Sequence, residues 1–446
     1  MIDFTHVGDF SRWYRLCMNY VELSHDSFFY HNIYIVGKDN IPQKGTPLFA
    51  FSNHQNALMD AMALLNMFKD GRQPVFIARG DIFKKDAIAK IFRFLKIMPT
   101  FRTRDGGRRD IMYNNVTFDM AEKVLHKGGT MIMFPEAAHQ HGRYLSTFKK
   151  GFPRICFAAE ERADFNLQLQ MLPVCLHYSH YEHCCTELLI IIGKPFTFEE
   201  LFELYKTEPN NAYLALNDKA RKILKEMVID IEDQEHYQEY DLLRTLIAKN
   251  RLAKQKRKYT FYEQFQEERK VVSDIDELKK NSPDKFDALM NDTKNYLTGL
   301  KEVRLRDFLI GKKVSLFSLF FRKLCLILLF PFYLFAFINN AIPYYLPELL
   351  VKKFKDRQFH SSARYLSGFL IFPVFYLILL AVVWIFSSFL FAAAYILATA
   401  FMLKLIYFYK VAVIKFWHTW RYYLLKNKPS IQRLIKLKEN ILIFFL

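Results

Sequence analysis

The residues Phe51-Ser52-Asn53-His54-Gln55-Asn56-Ala57-Leu58-Met59-Asp60 set an imidazole and a carboxylate close together, directly after the apolar run 47–51. Such a pair has the makings of a general base. The carboxylate can hold one ring N–H, which fixes the tautomer and favours the imidazolium formed when the other nitrogen takes a proton. Asn53, just before the histidine, suits a helix cap or a tight turn. Close His–Asp pairs are also common in purely structural settings, so the pair gains its meaning from the blocks downstream of it in the chain.

Three further blocks come in order. Met98-Pro99-Thr100-Phe101-Arg102-Thr103-Arg104-Asp105 is an extended stretch that carries two arginines. Met131-Ile132-Met133-Phe134-Pro135-Glu136 is an apolar strand that stops at a proline and a carboxylate. Leu172-Pro173-Val174 starts another buried strand. Together with His54 and Asp60 these blocks resemble the glycerolipid acyltransferase family, the lysophosphatidate and glycerol-phosphate acyltransferases. That family's four blocks read roughly NHx4D, a proline-to-arginine strand, FPEG(T)R and a proline-valine strand. The resemblance covers about residues 30–196. It implies a mixed-sheet α/β domain with His54 and Asp60 as the catalytic pair, and Arg102 and Glu136 as substrate-binding candidates; Asn53, Arg104, Arg143 and Lys149, close to these blocks, are added as further substrate-binding candidates. No metal or cofactor is implied. An acyl-CoA or acyl carrier protein thioester serves as co-substrate, and a glycerophosphate-type molecule as acceptor.

Two departures from the family pattern stand out. Five residues separate His54 from Asp60 instead of the commoner four, with Met59 where that aspartate would fall. On a regular helix one extra residue turns the carboxylate about 100° further round, and a turn between the two residues would absorb this. The longer spacing is similar to that of the yeast-type glycerol-phosphate enzymes. The third block continues Ala137-Ala138-His139, without the family's glycine and arginine; Arg143, Lys149 and Lys150 lie close downstream as alternative cations. These departures leave two other readings open: the same chemistry on a lysophospholipid or amino-lipid acceptor, and a silent lipid-binding membrane protein with the same fold.

The chemistry itself has simple needs. Acyl transfer to a hydroxyl requires a base, and a thioester requires no protein nucleophile because the acceptor attacks directly. An anionic acceptor requires cations, and the guanidinium fork of Arg102 or Arg104 matches paired phosphate oxygens. On a strand these two would alternate in direction, so one at most faces a given site.

The chain is rich in Phe (45) and Tyr (25) and carries a formal charge of +18. The distribution of that charge excludes a nucleic-acid reading. Residues 301–446 hold 21 Lys and Arg against 5 Asp and Glu, so the 300 residues before them carry 42 and 40. The surplus therefore flanks long apolar runs, as in membrane proteins whose basic edges face anionic head groups. Residues 365–403 run 39 without a charge and residues 324–346 run 23, against roughly 20 for one span. Cations precede, separate and follow the runs. If all three sets stay on the cytoplasmic side, each run must enter and return. Residues 365–403 then form a hairpin turning near Ser387-Ser388, and 324–346 a re-entrant or interfacial segment broken at Asn339-Asn340. A simple span at 324–346 is the alternative.

The expected organisation is an amphipathic or docking helix over 1–30, an α/β domain over 31–196, and a charged helical insert or linker over 197–310. A membrane region with a basic tail over 311–446 completes the chain. The alternation of strand-like and helix-like segments supports the α/β assignment. No signal peptide is expected at the start. The six cysteines show no disulfide or metal spacing, in keeping with a reducing cytoplasm. His177, His180 and His183 would scatter over both faces of a strand. The sequence thus predicts an integral-membrane acyltransferase with its α/β domain on the cytoplasmic face.

Overall fold

The computed structural model describes residues 4, 6–83, 85–101, 108–136 and 142–445, with side chains left out over 108–115. The chain divides into two compact units. The first comprises Met1–Asp230 together with Phe354–Ser362; the second comprises Ile231–Lys353 and Ala363–Leu446.

The first unit is built on a seven-stranded sheet. Its strands are β1 (Asn32–Val36), β2 (Leu48–Ser52), β3 (Val75–Arg79), β4 (Ile97–Thr100), β5 (Thr130–Met133), β6 (Gln170–Tyr178) and β7 (Glu187–Ile192), in the order β1-β7-β6-β2-β5-β3-β4. All pairs are parallel except β6–β7, so the sheet is mixed. The central strands β2 and β5 are buried at every position, which explains their unbroken apolar runs: a parallel strand covered on both faces has no solvent side to alternate towards.

The helices of this unit are α1 (Arg12–Glu22), α2 (Leu58–Asn66), α3 (Asp86–Phe94), α4 (Arg108–His126), α5 (Gly151–Arg162), α6 (Phe202–Thr207) and α7 (Pro209–Lys225). On α1, Tyr14, Met18 and Val21 form a buried stripe at helical spacing, while Trp13 and Leu16 face outward. The sequence placed a boundary near residue 197, whereas the first unit runs to Asp230. The reason is packing: Tyr205 stacks on Phe157 at 4.6 Å and its hydroxyl donates to Glu161, and Leu216, Ala220 and Leu224 are buried.

The second unit opens with α8 (Tyr237–Lys254), α9 (Phe261–Asn281) and α10 (Pro283–Val303). Thr260 and Glu263 close a capping box at the start of α9, and Arg244 pairs with Glu268 in the interior. There follow α11 (Leu316–Val351), α12 (His360–Ile385, whose first turn belongs to the first unit), α13 (Phe389–Phe401), α14 (Leu403–Leu425) and α15 (Pro429–Ile443). Among the described residues, three helical stretches are long and apolar enough to cross a membrane: Leu316–Val351, Arg357–Ile385 and Phe389–Leu425.

One expectation needs correction. α11 is not broken at Asn339-Asn340 but runs through them and through Pro331, Pro343 and Pro347. Each asparagine amide donates to the carbonyl four residues back, at 2.9 Å. Each side-chain oxygen accepts a tyrosine hydroxyl, Tyr395 for Asn339 and Tyr376 for Asn340. Two polar residues in an apolar run look like a break, yet here their hydrogen-bonding groups are satisfied within the helix and its neighbours. Between α12 and α13 the chain turns at residues 386–388.

Candidate functional site

Three central strands deliver the candidate residues to one edge of the sheet. β2 ends at Ser52 just before His54, β5 ends at Met133 just before Glu136, and β6, parallel to β2, ends at Tyr178. The carboxyl edge of a parallel sheet is where such folds place their ligands.

His54 Nδ1 lies 2.8 Å from Asp60 Oδ2, with the imidazole mostly covered and the carboxylate fully buried. The same Oδ2 accepts the backbone N–H groups of Gln55 (2.8 Å) and Asn56 (2.7 Å), and Oδ1 accepts the Tyr178 hydroxyl (2.7 Å). The imidazole is stacked on Phe134, ring centres 4.1 Å apart and 13° from parallel. A carboxylate on Nδ1 directs Nε2 to act as the base on an incoming hydroxyl.

The long His54–Asp60 spacing is closed by a turn. α2 begins only at Leu58, so residues 54–57 are not helical and the regular-helix offset does not apply. Met59 N–H donates to Asn56 O at 3.0 Å, and Ala57 has φ +45° and ψ −121°. This is close to the first central position of a mirror-image (II′) turn, where glycine is favoured. Alanine there carries strain of about 1–3 kcal/mol. Ala57 also has no side-chain oxygen with which to cap α2. Ser362 takes that part: its Oγ accepts the Leu58 N–H at 3.1 Å.

Glu136 is almost completely buried, with one carboxylate oxygen accepting His54 N–H (2.9 Å) and the other Ser146 N–H (2.8 Å). Burial pushes its carboxyl up to about 7, against the pull of those two bonds. Asn53 is not the cap of α2. Its amide exchanges two bonds with Leu176, donating to the carbonyl at 2.9 Å and accepting the N–H at 2.8 Å, which ties the His54 loop to β6. Arg143 is buried, donates to Tyr178 O at 3.1 Å and lies over the Tyr181 ring. Lys149 closes its loop through its backbone N–H on Pro135 O, and its side chain is exposed. Arg102 and Arg104 lie outside the described residues, one and three positions after Phe101. Among the described residues no group of three or more His, Cys, Asp or Glu gathers as metal ligands would.

The structure thus brings His54, Asp60, Glu136, Asn53 and Arg143 together. It adds Tyr178, Ser146 and Ser362, which the sequence alone did not single out. Tyr178 could have been found: residues 172, 174, 176 and 178 share one face of a strand, and the last of them is a buried hydroxyl.

Residues 32–177 match the Acyltransferase family model. Over 122 residues the chain is 29% identical to the chloroplastic 1-acyl-sn-glycerol-3-phosphate acyltransferase LPAT1 of Arabidopsis thaliana. That match covers 27% of this chain and about a third (32%) of the relative's length. A solved structure, the 1-acyl-sn-glycerophosphate (LPA) acyltransferase PlsC from Thermotoga maritima, aligns over 46% of this chain and 80% of its own. It does so at 19% identity and a TM-score of 0.31. Residues 32–177 are an acyltransferase-type domain.

Proposed function

We propose that this chain moves a fatty acyl group from an acyl thioester, of coenzyme A or acyl carrier protein, to a hydroxyl of glycerol 3-phosphate or lysophosphatidate at a membrane surface. The observation that carries the reading is the His54 Nδ1–Asp60 contact of 2.8 Å at the carboxyl edge of the central strands. In this reading Nε2 takes the proton of the acceptor hydroxyl as its oxygen attacks the thioester carbonyl. The new C–O bond forms, the C–S bond breaks, and the departing thiolate recovers the proton from the imidazolium. Asp60 holds the ring and stabilises its charged form. Arg102, Arg104 and Lys149 supply the cations for the acceptor's phosphate. The basic flanks of the apolar helices support a cytoplasmic site for the reaction.

The test is acyl transfer by the detergent-solubilised protein. Labelled acyl-CoA or acyl carrier protein is offered with glycerol 3-phosphate, lysophosphatidate or lysophospholipids, and His54→Ala is the blank. A labelled product that vanishes in the variant is expected. Turnover retained by a folded His54→Ala protein overturns the assignment of the base, and no product with any pair overturns the reading. Arg102→Ala should mainly raise KM for a phosphorylated acceptor; an unchanged KM would point to an acceptor without phosphate.

A further inference from the structure

Both ends of α11 lie on one side of the membrane. Among the described residues the three candidate spans all begin at or after Leu316, so residues 6–315 stay on one side. Phe354–Ser362 belongs to the same compact unit as Met1–Asp230, so the chain is on that side again after α11. The tail returns there too: Lys438 pairs with Asp307 at 3.1 Å, and Leu434 packs against Gly299 of α10. A continuous helix of 36 residues, about 54 Å long, with both ends on one face lies along that face.

The partner helix α14 fits this placement. It runs antiparallel to α11: Ala336 packs on Leu403 and Ile406, Tyr333 stacks on Tyr409 at 4.3 Å, and the Tyr409 hydroxyl donates to Leu326 O at 3.1 Å. Lys404, Lys410, Lys415 and Arg421 are distributed along it, with Lys410 over the rings of Tyr344 and Tyr345. Four cations spread over 18 residues keep a helix out of the hydrocarbon centre and at the head-group level.

What remains is the pair α12–α13. It meets α11 through Tyr376, Tyr395 and Thr399, at the Asn339-Asn340 level. From Tyr376 to Ile385 the chain runs nine residues beyond that level, about 14 Å, or half of a hydrocarbon core of roughly 30 Å. The tip is Trp384-Ile385-Phe386-Ser387-Ser388-Phe389-Leu390-Phe391, without a charge and with Phe386 84% and Leu390 79% exposed. A loop that emerged into water would have no reason for six large apolar residues around two serines. Those serines satisfy the turn internally, as hydrocarbon demands. Ser387 Oγ donates to Val383 O (2.7 Å), Ser388 Oγ accepts Phe391 N–H (3.2 Å), and the backbone N–H groups of Phe386 and Ser387 return to Val383 and Trp384.

We infer that the protein is monotopic: α11 and α14 lie paired along one face of the bilayer, and the α12–α13 hairpin dips from that face into the hydrocarbon without crossing it. The inference is independent of the acyl-transfer reading.

The test uses the full chain in sealed lipid vesicles with a membrane-impermeant maleimide, the wild type serving as blank for the native cysteines. Ser387→Cys, Lys355→Cys and Glu439→Cys are compared. Positions 355 and 439 should label from the same side, and 387 from neither side until detergent is added. As a second measurement, phospholipid brominated mid-chain should quench the wild-type tryptophan emission, and Trp384→Phe should remove most of that quenching. Labelling of 387 from the side opposite to 355, or of 439 opposite to 355, would show a crossing and overturn the inference. Labelling of 387 from the same side as 355, or quenching unchanged by Trp384→Phe, would place the tip outside the hydrocarbon and overturn it equally.

Discussion

Glu136 separates two accounts of this site. If it contacts the acceptor, replacing it with glutamine weakens acceptor binding and leaves the fold alone. The geometry gives the carboxylate another task, since its two oxygens accept the backbone N–H groups of His54 and Ser146. Glutamine has one acceptor oxygen and turns an NH2 towards the other N–H. Protonated glutamate has the same pattern, so Gln is a mimic of the protonated form, and the comparison becomes one of pH.

Burial raises the carboxyl from an ordinary 4.5 to about 7 in the folded protein. The sign follows from proton binding. Between pH 4.5 and 7 the folded state holds more protons at this group than the unfolded state, so stability falls as pH rises. At 1.36 kcal/mol per unit the wild type loses about 3 kcal/mol across that window, the full contribution being present below 4.5 and gone above 7. Glu136→Gln does not titrate there. The two proteins should therefore be about equally stable near pH 4.5, and the variant more stable by about 3 kcal/mol at pH 8. Its kcat should nevertheless fall about tenfold at pH 8, because the bond that braces the His54 backbone is worth roughly 1–1.5 kcal/mol. The measurements are apparent Tm in detergent from pH 4.5 to 8.5 and kcat and KM at pH 8. A variant uniformly less stable than wild type at every pH, or a raised acceptor KM with unchanged kcat, would refute the argument.

Other substitutions test the neighbouring contacts. Tyr178→Phe keeps the ring packing but removes the hydroxyl from Asp60 Oδ1; it should cost about 1.5–3 kcal/mol and lower kcat less than His54→Ala does, and an unchanged Tm would count against the contact. Ala57→Gly should stabilise the protein by about 1 kcal/mol, since relief of the φ +45° strain exceeds the cost of a freer unfolded chain. Ala57→Val should cost about 2 kcal/mol and lower kcat, and the reverse order would refute the turn. Ser362→Ala removes the acceptor for Leu58 N–H and should cost about 1 kcal/mol; it should lower kcat with KM unchanged, and Ser362→Thr should restore most of it.

What could be read from the sequence was what is local in it. Strands β2, β5 and β6 announce themselves as apolar runs, and the His54–Asp60 pair lies within one short segment. The contacts that finish the site are not local. Tyr178 is 118 residues from Asp60, and Ser362 is 304 from Leu58; nothing in a window of sequence couples them. The strained turn at Ala57 escaped notice because alanine carries no signal for a positive φ, whereas glycine would have. Asn339-Asn340 misled for a related reason: the tyrosines that satisfy them lie 36 and 56 residues away.

The buried polar groups of the site share one habit, which bears on how acceptor choice could change. Asp60 accepts two backbone N–H groups, Glu136 two more, and Asn53 exchanges a pair with Leu176. Even the Arg143 guanidinium donates to a backbone carbonyl. Their described bonds hold the segment 53–60, which runs into the first turn of α2, between β2, β5 and β6, so that the imidazole is placed by contacts within the protein. The cations proposed for the acceptor's phosphate belong to other segments of the sequence, at 102, 104 and 149. Substitutions at those positions should therefore shift acceptor preference through KM while leaving the pH dependence of kcat in place. Substitutions in the 53–60 clamp should lower kcat for every acceptor alike. A change at 102, 104 or 149 that moved the kcat–pH profile would mean that positioning and recognition share residues, and this separation would fail.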